Sequence, residues 1–409
     1  MKKNKPELLM PAGNFEKLVT AFRFGADACY MGEPNFSLRY RENQTDNISL
    51  EKSIKYAHKI NKKIYITINL YPHNEKISSI IEHIKLLRKL KPDAIIFSDP
   101  GVYNLIKKYY PEAVLHLSVQ ATATNYETIK FWQKLGIKRI ILARELSLDE
   151  ISEIHKKVPG IELETFVHGA ICMAYSGRCL LSNYLTGRDA NQGDCAHVCR
   201  WNYKVLEENL RPGEYMPIYE NQHGTHILSS RDLCLIEHLK ELKNAGICSF
   251  KVEGRAKNVS YVATIAKAYK QAINDIYKDQ LFNKNLLKEV KTVSNRGFFT
   301  GFYFGKPQKF DQQLDANRTE GTYDFVGIVK TYNQIKKLAE IQVKGKITVG
   351  DTIEIITPNS ISKIKITKIF THSFKSVNCY NPGLKEHAYI KIDQKIEAGD
   401  ILRKKIKWR

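Results

Sequence analysis

The densest group of chemically reactive residues in this sequence is a run of four cysteines. Cys172, Cys179, Cys195 and Cys199 are spaced C-x6-C-x15-C-x3-C, so half of the chain's eight cysteines lie within 28 residues. A chain of 409 residues can bury enough apolar surface to fold without cross-links. Four thiolates are the ligand set of zinc or of an iron–sulfur cluster. The wide spacing favours the cluster, because zinc ribbons use the tighter C-x2-C pair.

Other interpretations of the cysteines stay open at this point: a structural zinc site, disulfides, or inert buried thiols. The chain starts with the lysine-rich MKKNK and no signal peptide precedes it, so we expect a reducing, cytoplasmic location that disfavours disulfides. No apolar run approaches the roughly 20 residues of a membrane span, so we expect no membrane association.

The charge balance indicates a polyanionic partner. Net charge is +21 and the isoelectric point is about 9.4, which favours nucleic acid. A general bias toward lysine in the composition is the alternative explanation. The sequence lacks G-x-S-x-G, H-E-x-x-H and G-x-x-x-x-G-K-[ST], which are the motifs of serine hydrolases, zincins and P-loop NTPases. These three classes of enzyme are therefore disfavoured.

Short apolar runs alternate with amphipathic helical stretches up to about residue 280. This alternation predicts an α/β fold with a parallel sheet, and eight such units predict a (β/α)8 TIM-like barrel. An open doubly wound sheet is disfavoured, because no G-x-G-x-x-G follows the first strand. The predicted strands are 7–13, 28–32, 63–69, 94–99, 115–122, 139–145, 163–170 and 248–254.

Two features divide the predicted chain. An insertion, 171–246, separates strands seven and eight of a barrel domain, 1–310, and it begins with the cysteines. Barrel enzymes place their active sites at the carboxyl ends of the strands, so the metal site and the catalytic face should coincide. The sequence of residues 320–409 predicts a small C-terminal antiparallel β-barrel. Residues 321–409 hold 17 Lys+Arg against 8 Asp+Glu. We expect this basic module to bind RNA, with a solvated basic surface as the alternative.

Polar residues near the predicted carboxyl ends of strands are candidates for the site. Arg144 and Arg255 can hold a carboxylate by bidentate hydrogen bonds. Glu164 and His168 precede Cys172 and are candidates for proton transfer. Structural ion pairs are the alternative for any of them. The remaining candidates are Asn69, Asp99, Gln120, Glu145 and Glu253.

Several segments together resemble the collagenase-like peptidase family over nearly the whole chain. The most specific is the pattern E-x-F-x-H-G-A-x-C-x-x-x-S-G-R-C, which starts at Glu164 and ends at Cys179 without a departure. The other matching segments include ELLMPAG (7–13), SVQATATN (118–125), SSRDLC (229–234), KVEGRAKNVSYV (251–262) and NRGFFTGFYFG (295–305).

The resemblance implies two kinds of activity. Some members of the family are peptidases without securely assigned catalytic residues. Others are oxygen-independent hydroxylases with a [4Fe-4S] cluster, and the layout here is most similar to those that convert the wobble uridine of tRNA to 5-hydroxyuridine with prephenate. For this chain the resemblance implies a tRNA hydroxylase that contacts the anticodon arm and holds prephenate or a similar dicarboxylate. A paralogous family subunit is a further candidate partner.

By the same resemblance, Cys172, Cys179, Cys195 and Cys199 are the expected cluster ligands. Cys234 is the alternative fourth ligand, because some members use a later cysteine in place of the last one. A peptidase acting on collagen-like or unfolded protein, and a non-catalytic RNA-binding or assembly factor, are the alternative functions.

Overall fold

The structure is a computed structural model that describes residues 5–38, 45–172, 174–200, 219–221, 224–226, 230–307, 320–383 and 387–406. Among these residues, no helix is both long and apolar enough to cross a lipid bilayer. The predicted junction between the two domains, 311–319, lies outside the described residues.

Parallel strands alternate with helices along the first part of the chain. The strands are β1 (Glu7–Pro11), β2 (Ala28–Met31), β3 (Lys63–Ile68), β4 (Ala94–Phe97), β5 (Leu115–Leu117), β6 (Arg139–Ile141) and β7 (Glu162–Ala170). The helices are α1 (Phe15–Arg23), α2 (Asn47–Lys59), α3 (Ile77–Leu90), α4 (Pro100–Tyr109), α5 (Tyr126–Lys134) and α6 (Leu148–Lys157).

Most of these helices begin at a side chain that accepts a hydrogen bond from the first turn. Asp99 accepts from the backbone of Val102, and Ser147 forms a reciprocal capping box with Glu150. Such caps satisfy the backbone N–H groups that a helix start leaves unpaired. The caps therefore fix the points where the chain leaves the carboxyl end of a strand and turns back.

The insertion follows β7. It contains α7 (Leu181–Thr186), the short hairpin strands β8 (Tyr219–Asn221) and β9 (Gly224–His226), then β10 (Asp232–Cys234) and α8 (Leu239–Asn244). Strand β10 pairs antiparallel with the last residues of β7. The carboxyl end of β7 therefore extends beyond the barrel and anchors the insertion.

Strand β11 (Ile247–Val252) closes the barrel, because it pairs in parallel with both β1 and β7. This closure confirms the predicted (β/α)8 architecture. The chain continues with α9 (Val259–Tyr277), α10 (Lys284–Val290) and β12 (Phe298–Phe299), which pairs with β10. Gly169 permits the tight approach of β7 to the segment after β11: its φ is +107°, and a Cβ there would lie 2.5 Å from the Glu253 carbonyl oxygen.

The C-terminal domain is antiparallel, as predicted. The strands are β13 (Tyr323–Asn333), β14 (Leu338–Val343), β15 (Ile347–Thr348), β16 (Thr352–Ile356), β17 (Ile361–Lys365), β18 (Ile369–Phe370), β19 (Ser376–Val377), β20 (Cys379–Tyr380), β21 (Ala388–Lys391) and β22 (Ile401–Lys405). The main sheet has the order β17-β16-β22-β13-β14-β21-β18-β19, and β15 pairs with β20.

The two domains are joined by a buried ion-pair network. Arg403 on β22 contacts Glu289 of the barrel domain at 2.7 Å and Glu354 of its own domain at 2.8 Å. Arg23 of α1 contacts Asp400 at 2.7 Å. Arg403 is 3 % exposed, so the network excludes water and ties the sheet to the outer helices of the barrel.

Candidate active site

A cavity of about 330 Å³ opens at the carboxyl ends of the barrel strands. Its wall is built by residues that follow β3, β5, β6 and β11 and by the first part of the insertion. In TIM-like barrels this end carries the active site. The lining includes Tyr30, Thr67, Asn69, Gln120, Arg144, Phe166, Arg178, Leu180, Leu181, Lys251, Glu253 and Arg255.

All four cysteines of the cluster predicted from the sequence line this cavity: Cys172, Cys179, Cys195 and Cys199. Among the described residues, no three His, Cys, Asp or Glu side chains converge on one point in the manner of a single-ion site. Four thiols are a donor set that could hold zinc or an iron–sulfur cluster.

The loop between Cys172 and Cys179 is fixed from the barrel by Glu145. The carboxylate of Glu145 accepts hydrogen bonds from the Ser176 backbone N–H at 2.5 Å and from its hydroxyl at 2.7 Å. Ser176 has a φ of +46°, a conformation that non-glycine residues rarely adopt. The two charge-assisted bonds stabilise this turn and thereby direct the first two cysteines toward the cavity.

Arg178 anchors the same loop on its other side. Its guanidinium donates to the Gln120 carbonyl at 2.8 Å and to the Tyr71 hydroxyl, and it lies over the Tyr71 ring at 4.9 Å. The backbone of Cys179 is held by Asn191, whose side-chain oxygen accepts from the cysteine N–H and whose amide donates to the cysteine carbonyl. Tyr71 also donates its N–H to the Asn191 carbonyl, so the cysteine loop and the residues after β3 form one unit.

The turn that carries Cys195 is held by α7 and the residues after it. Arg188 donates to the Cys195 carbonyl at 3.1 Å and pairs with Asp194 at 2.9 Å. The Ser182 hydroxyl donates to the Arg188 carbonyl at 2.7 Å and accepts from the Ala196 N–H at 3.0 Å. Each cysteine pair is therefore positioned by hydrogen bonds to the backbone beside it, as ligands of metal centres commonly are.

Arg144 and Arg255 both reach the cavity. Arg144 donates to the Ala170 carbonyl at 3.0 Å and lies 4.0 Å from the Phe166 ring centre. Arg255 is 4 % exposed and contacts the Ser37 hydroxyl at 3.4 Å. The Nε atom of each arginine is buried and has no hydrogen-bond partner. Because a buried unpaired donor is costly, these two groups fit a bound anion such as a carboxylate.

Polar groups at the floor of the cavity complete its chemistry. Lys251 lines the cavity and pairs with Glu164 beneath it at 2.9 Å. The Tyr30 hydroxyl donates to Glu253 at 3.1 Å. The side-chain oxygen of Gln120 is buried without a partner, so it is available to accept a hydrogen bond from a ligand N–H.

Glu164 lies deeper in the barrel than the cavity. It is fully buried and bridges Arg139 at 3.0 Å and Lys251 at 2.9 Å, while Arg139 also contacts Glu7 at 2.6 Å. Burial alone would raise the pKa of Glu164, but the charges of Lys251 and Arg139 outweigh it and lower the pKa. The structure thus places Glu164 in an ion-pair network under the cavity, not among the lining residues.

His168 faces the outside of the barrel. Its ring packs against Tyr269 of α9 and Phe298 of β12, and its Nδ1 lies 3.2 Å from the Tyr269 hydroxyl. Burial lowers the pKa of His168 to about 3, so the imidazole is neutral at pH 7. Cys234 lies beside it, and burial raises the pKa of that thiol to about 11. Neither residue lines the cavity, whereas Cys199 does.

Several residues that position the site were not predicted from the sequence. Asn191 and Arg188 bind the backbone of the cysteine segments, and the Tyr71 hydroxyl accepts from the Arg178 guanidinium. Lys251 lies in a predicted strand but is not among the predicted site residues. It lies two residues before the candidate Glu253, and side chains two positions apart on a strand point to the same side. This spacing is the sequence signal that indicates Lys251.

Comparison with known proteins identifies the family. Residues 13–313 match the model described as Peptidase family U32, and residues 321–403 match the Peptidase family U32 C-terminal domain. The chain belongs to peptidase family U32. Its U32 relatives include "tRNA hydroxylation protein P" of Escherichia coli (strain K12), 41 % identical over 397 residues that cover 87 % of this chain and 86 % of that one.

Two further U32 relatives cover almost the whole chain. "tRNA hydroxylation protein P1" of Bacillus subtilis (strain 168) is 34 % identical and spans 98 % of this chain and 95 % of its own length. "Collagenase" of Porphyromonas gingivalis (strain ATCC BAA-308 / W83) is 29 % identical and spans 98 % of both. The U32 family therefore includes proteins named for hydroxylation and for proteolysis.

Proposed function

We propose that this chain is a tRNA-modifying enzyme that hydroxylates the wobble uridine to 5-hydroxyuridine. One observation carries the proposal: four thiols and two arginines with unpaired buried donors line a single cavity at the carboxyl end of the barrel. The relatives named for tRNA hydroxylation, at 34 to 41 % identity over most of the chain, support the reaction class.

The cofactor in this proposal is a [4Fe-4S] cluster held by Cys172, Cys179, Cys195 and Cys199. When bound, it would supply redox-active iron next to the reacting base. Hydroxylation replaces the C5–H bond of the uracil with C5–OH, which is a two-electron oxidation; the co-substrate would give up its hydroxyl group, take the hydrogen in its place and so accept the two electrons. The protein residues around the cluster hold its ligands in place and limit the access of water.

The co-substrate in this proposal is prephenate or a similar dicarboxylate. Arg144 and Arg255 line the cavity and would each bind a carboxylate through the guanidinium. Gln120, which also lines the cavity, would contact the uracil through its amide. A base reaches such a cavity only after it leaves the stack of the anticodon loop, as is general for enzymes that act on bases. The basic C-terminal domain would contact phosphates of the anticodon arm.

Nucleoside mass spectrometry of tRNA tests the proposal. A strain without this protein and its paralogues should lose 5-hydroxyuridine and its derivatives, and the wild-type gene should restore them. Cys172→Ser should fail to restore them, whereas Cys379→Ser, a change of an equally exposed cysteine in the C-terminal domain, should succeed. Unchanged modification in the deletion strain would reject a hydroxylase, and tight tRNA binding without modification would indicate a non-catalytic RNA-binding factor.

A peptidase function has less support from the site. The cysteine nearest to His168 is Cys234, and both are buried behind α9, outside the cavity. The raised pKa of that thiol also opposes formation of a thiolate nucleophile. Gelatin hydrolysis by the purified protein, abolished by a change at one named nucleophile, would restore the peptidase alternative.

A further inference from the structure

Helix α7, between the second and third cysteines, is inverted relative to an ordinary surface helix. Its serine, Ser182, is fully buried, whereas Tyr184 is 86 % exposed and Leu180, the residue that precedes the helix, is 77 % exposed. A surface helix normally turns its apolar side toward the protein. Here the polar residue faces inward and the apolar residues face solvent.

The buried hydroxyl of Ser182 supports the cysteine site. It bonds to the Arg188 carbonyl and the Ala196 N–H, and so it holds the turn that carries Cys195. Leu181 is three and four positions from Tyr184 and Leu185, so these three side chains share a face of the helix, and all three are exposed. The helix that supports the cysteine turn thus also carries exposed apolar side chains.

The exposed residues form a surface that we term the rim patch: Tyr175, Leu180, Leu181, Tyr184 and Leu185, each between 36 and 86 % exposed. Leu180 and Leu181 also line the cavity, so the patch is continuous with its mouth. A contiguous exposed apolar surface of this kind marks an interaction site.

We propose that the rim patch binds the nucleotides that flank the target base in the RNA loop. Tyr184 stacks on a flanking base, and Leu180 occupies the space that the target base leaves when it enters the cavity. This inference rests on the proposed function, because it takes an RNA loop as the substrate. It adds a specific binding surface on the insertion, separate from the basic C-terminal domain.

Two features favour RNA over a protein partner. The nucleotides next to the target are covalently attached to it, so they must lie against whatever surrounds the cavity mouth. Among the described lining residues, Arg144, Arg178 and Arg255 are cationic in addition to Lys251, which pairs with Glu164, and Glu253 is the carboxylate. Exposed aromatic rings beside cationic side chains are the usual means of binding unpaired bases.

The test compares matched variants at the two ends of the barrel. Tyr184→Ala is paired with Tyr277→Ala, because Tyr277 is also exposed but ends α9, which runs toward the amino ends of the strands. Leu180→Ser is paired with Leu281→Ser, which is 93 % exposed at the same far end. Fluorescence anisotropy measures the Kd for an anticodon stem-loop with a wobble uridine, and mass spectrometry measures tRNA modification in the complemented strain.

We expect Tyr184→Ala to raise the Kd about tenfold or more, in the range that stacking of one base on one ring provides. Tyr184→Phe should restore binding, and both far-end variants should match the wild type. If the wild type modifies tRNA but Tyr184→Ala and Leu180→Ser bind like their controls, the inference is wrong and the proposed function stands. If the patch variants bind RNA normally yet lose modification, the patch serves a protein partner. Absence of RNA binding by the wild type would reject both.

Discussion

Asn191 clamps the backbone of Cys179 from both sides. Its Oδ1 accepts from the Cys179 N–H at 3.3 Å, and its Nδ2 donates to the Cys179 carbonyl at 3.0 Å. Only the amide side chains, asparagine and glutamine, carry an N–H donor and a carbonyl acceptor on the same carbon, and glutamine is one carbon longer. The position of the second cysteine thus depends on a residue that is not itself a ligand.

We therefore expect Asn191→Leu to lower the iron content of anaerobically purified protein to less than half of the wild-type value. Two hydrogen bonds worth about 1 kcal/mol each are lost, and Cys179 is no longer held toward the cavity. Asn191→Asp, which keeps the acceptor, should retain more iron. Asn381→Leu, at an exposed site in the C-terminal domain, is the control. Wild-type iron content in Asn191→Leu would show that the clamp does not position a ligand.

The fourth cluster ligand can be tested with a pair of serine variants. Cys199→Ser should abolish or strongly reduce bound iron and sulfide, because Cys199 lines the cavity with the other three cysteines. Cys234→Ser should keep both, since that thiol is buried beside Tyr269 outside the cavity. Iron and sulfide assays with the visible absorption spectrum measure the outcome. The reverse pattern would assign Cys234 as the ligand.

Replacement of either cavity arginine by lysine should weaken the binding of the dicarboxylate. Lysine keeps the positive charge but cannot reproduce the planar donor pair, so we expect the Kd for prephenate to rise about 10- to 100-fold in Arg144→Lys and Arg255→Lys. Arg88→Lys, on a surface ion pair with Glu112, is the control. Isothermal titration of each variant measures the effect. Unchanged affinity in both cavity variants would place the carboxylates elsewhere.

Glu164→Gln should destabilise the fold. The change leaves Lys251 and Arg139 buried with less compensating charge, and the loss of one partner from a buried pair costs about 3 kcal/mol. The midpoint of urea unfolding should therefore fall, while Glu127→Gln in the exposed pair with Lys130 should leave it unchanged. If Glu164→Gln instead unfolds like the wild type and loses only activity, the residue acts in proton transfer.

The stability of the protein should depend on pH through His168. Its pKa is lowered from 6.5 to about 3 in the folded protein, so between these values the unfolded chain binds a proton that the folded chain does not. Stability therefore falls as the pH decreases from 6.5 toward 3. His168→Gln should reduce the slope of the free energy of unfolding against pH by roughly 1.4 kcal/mol per pH unit. Urea unfolding at several pH values measures this slope.

The barrel could be predicted from the sequence, because each strand is a short apolar run between amphipathic helices. The cysteine cavity could be predicted as well, since the spacing of the four thiols and their place after β7 both depend on local sequence. The clamps on the cysteine loop could not, because Tyr71 lies about 100 residues before Cys179 in the chain. Contacts over such distances carry no signal in one sequence.

The positions of Glu164 and His168 show a second limit. Both lie in the same signature as Cys172, and sequence proximity suggested a shared site. Glu164 lies six residues before the end of β7, which is about 20 Å along an extended strand. The pairing of β7 with β11 also shifts its register before His168. Phe166 therefore lines the cavity while His168, two residues later, faces α9.

The orientation of α7 had no sequence signal either. Its leucines and its tyrosine have the periodicity of a helix that packs inward. In the structure they are exposed, and it is Ser182 that is buried, on two hydrogen bonds to the backbone beside Cys195.

The supports of the first two cysteines have a consequence for biosynthesis. Tyr71, Gln120 and Glu145 contact the loop from Cys172 to Cys179, and all three precede it in the chain. During translation the residues that hold this loop therefore leave the ribosome before the thiols themselves. Strand β11, which closes the barrel, leaves it after them, so the cysteine loop is synthesised between its supports and the strand that completes the barrel.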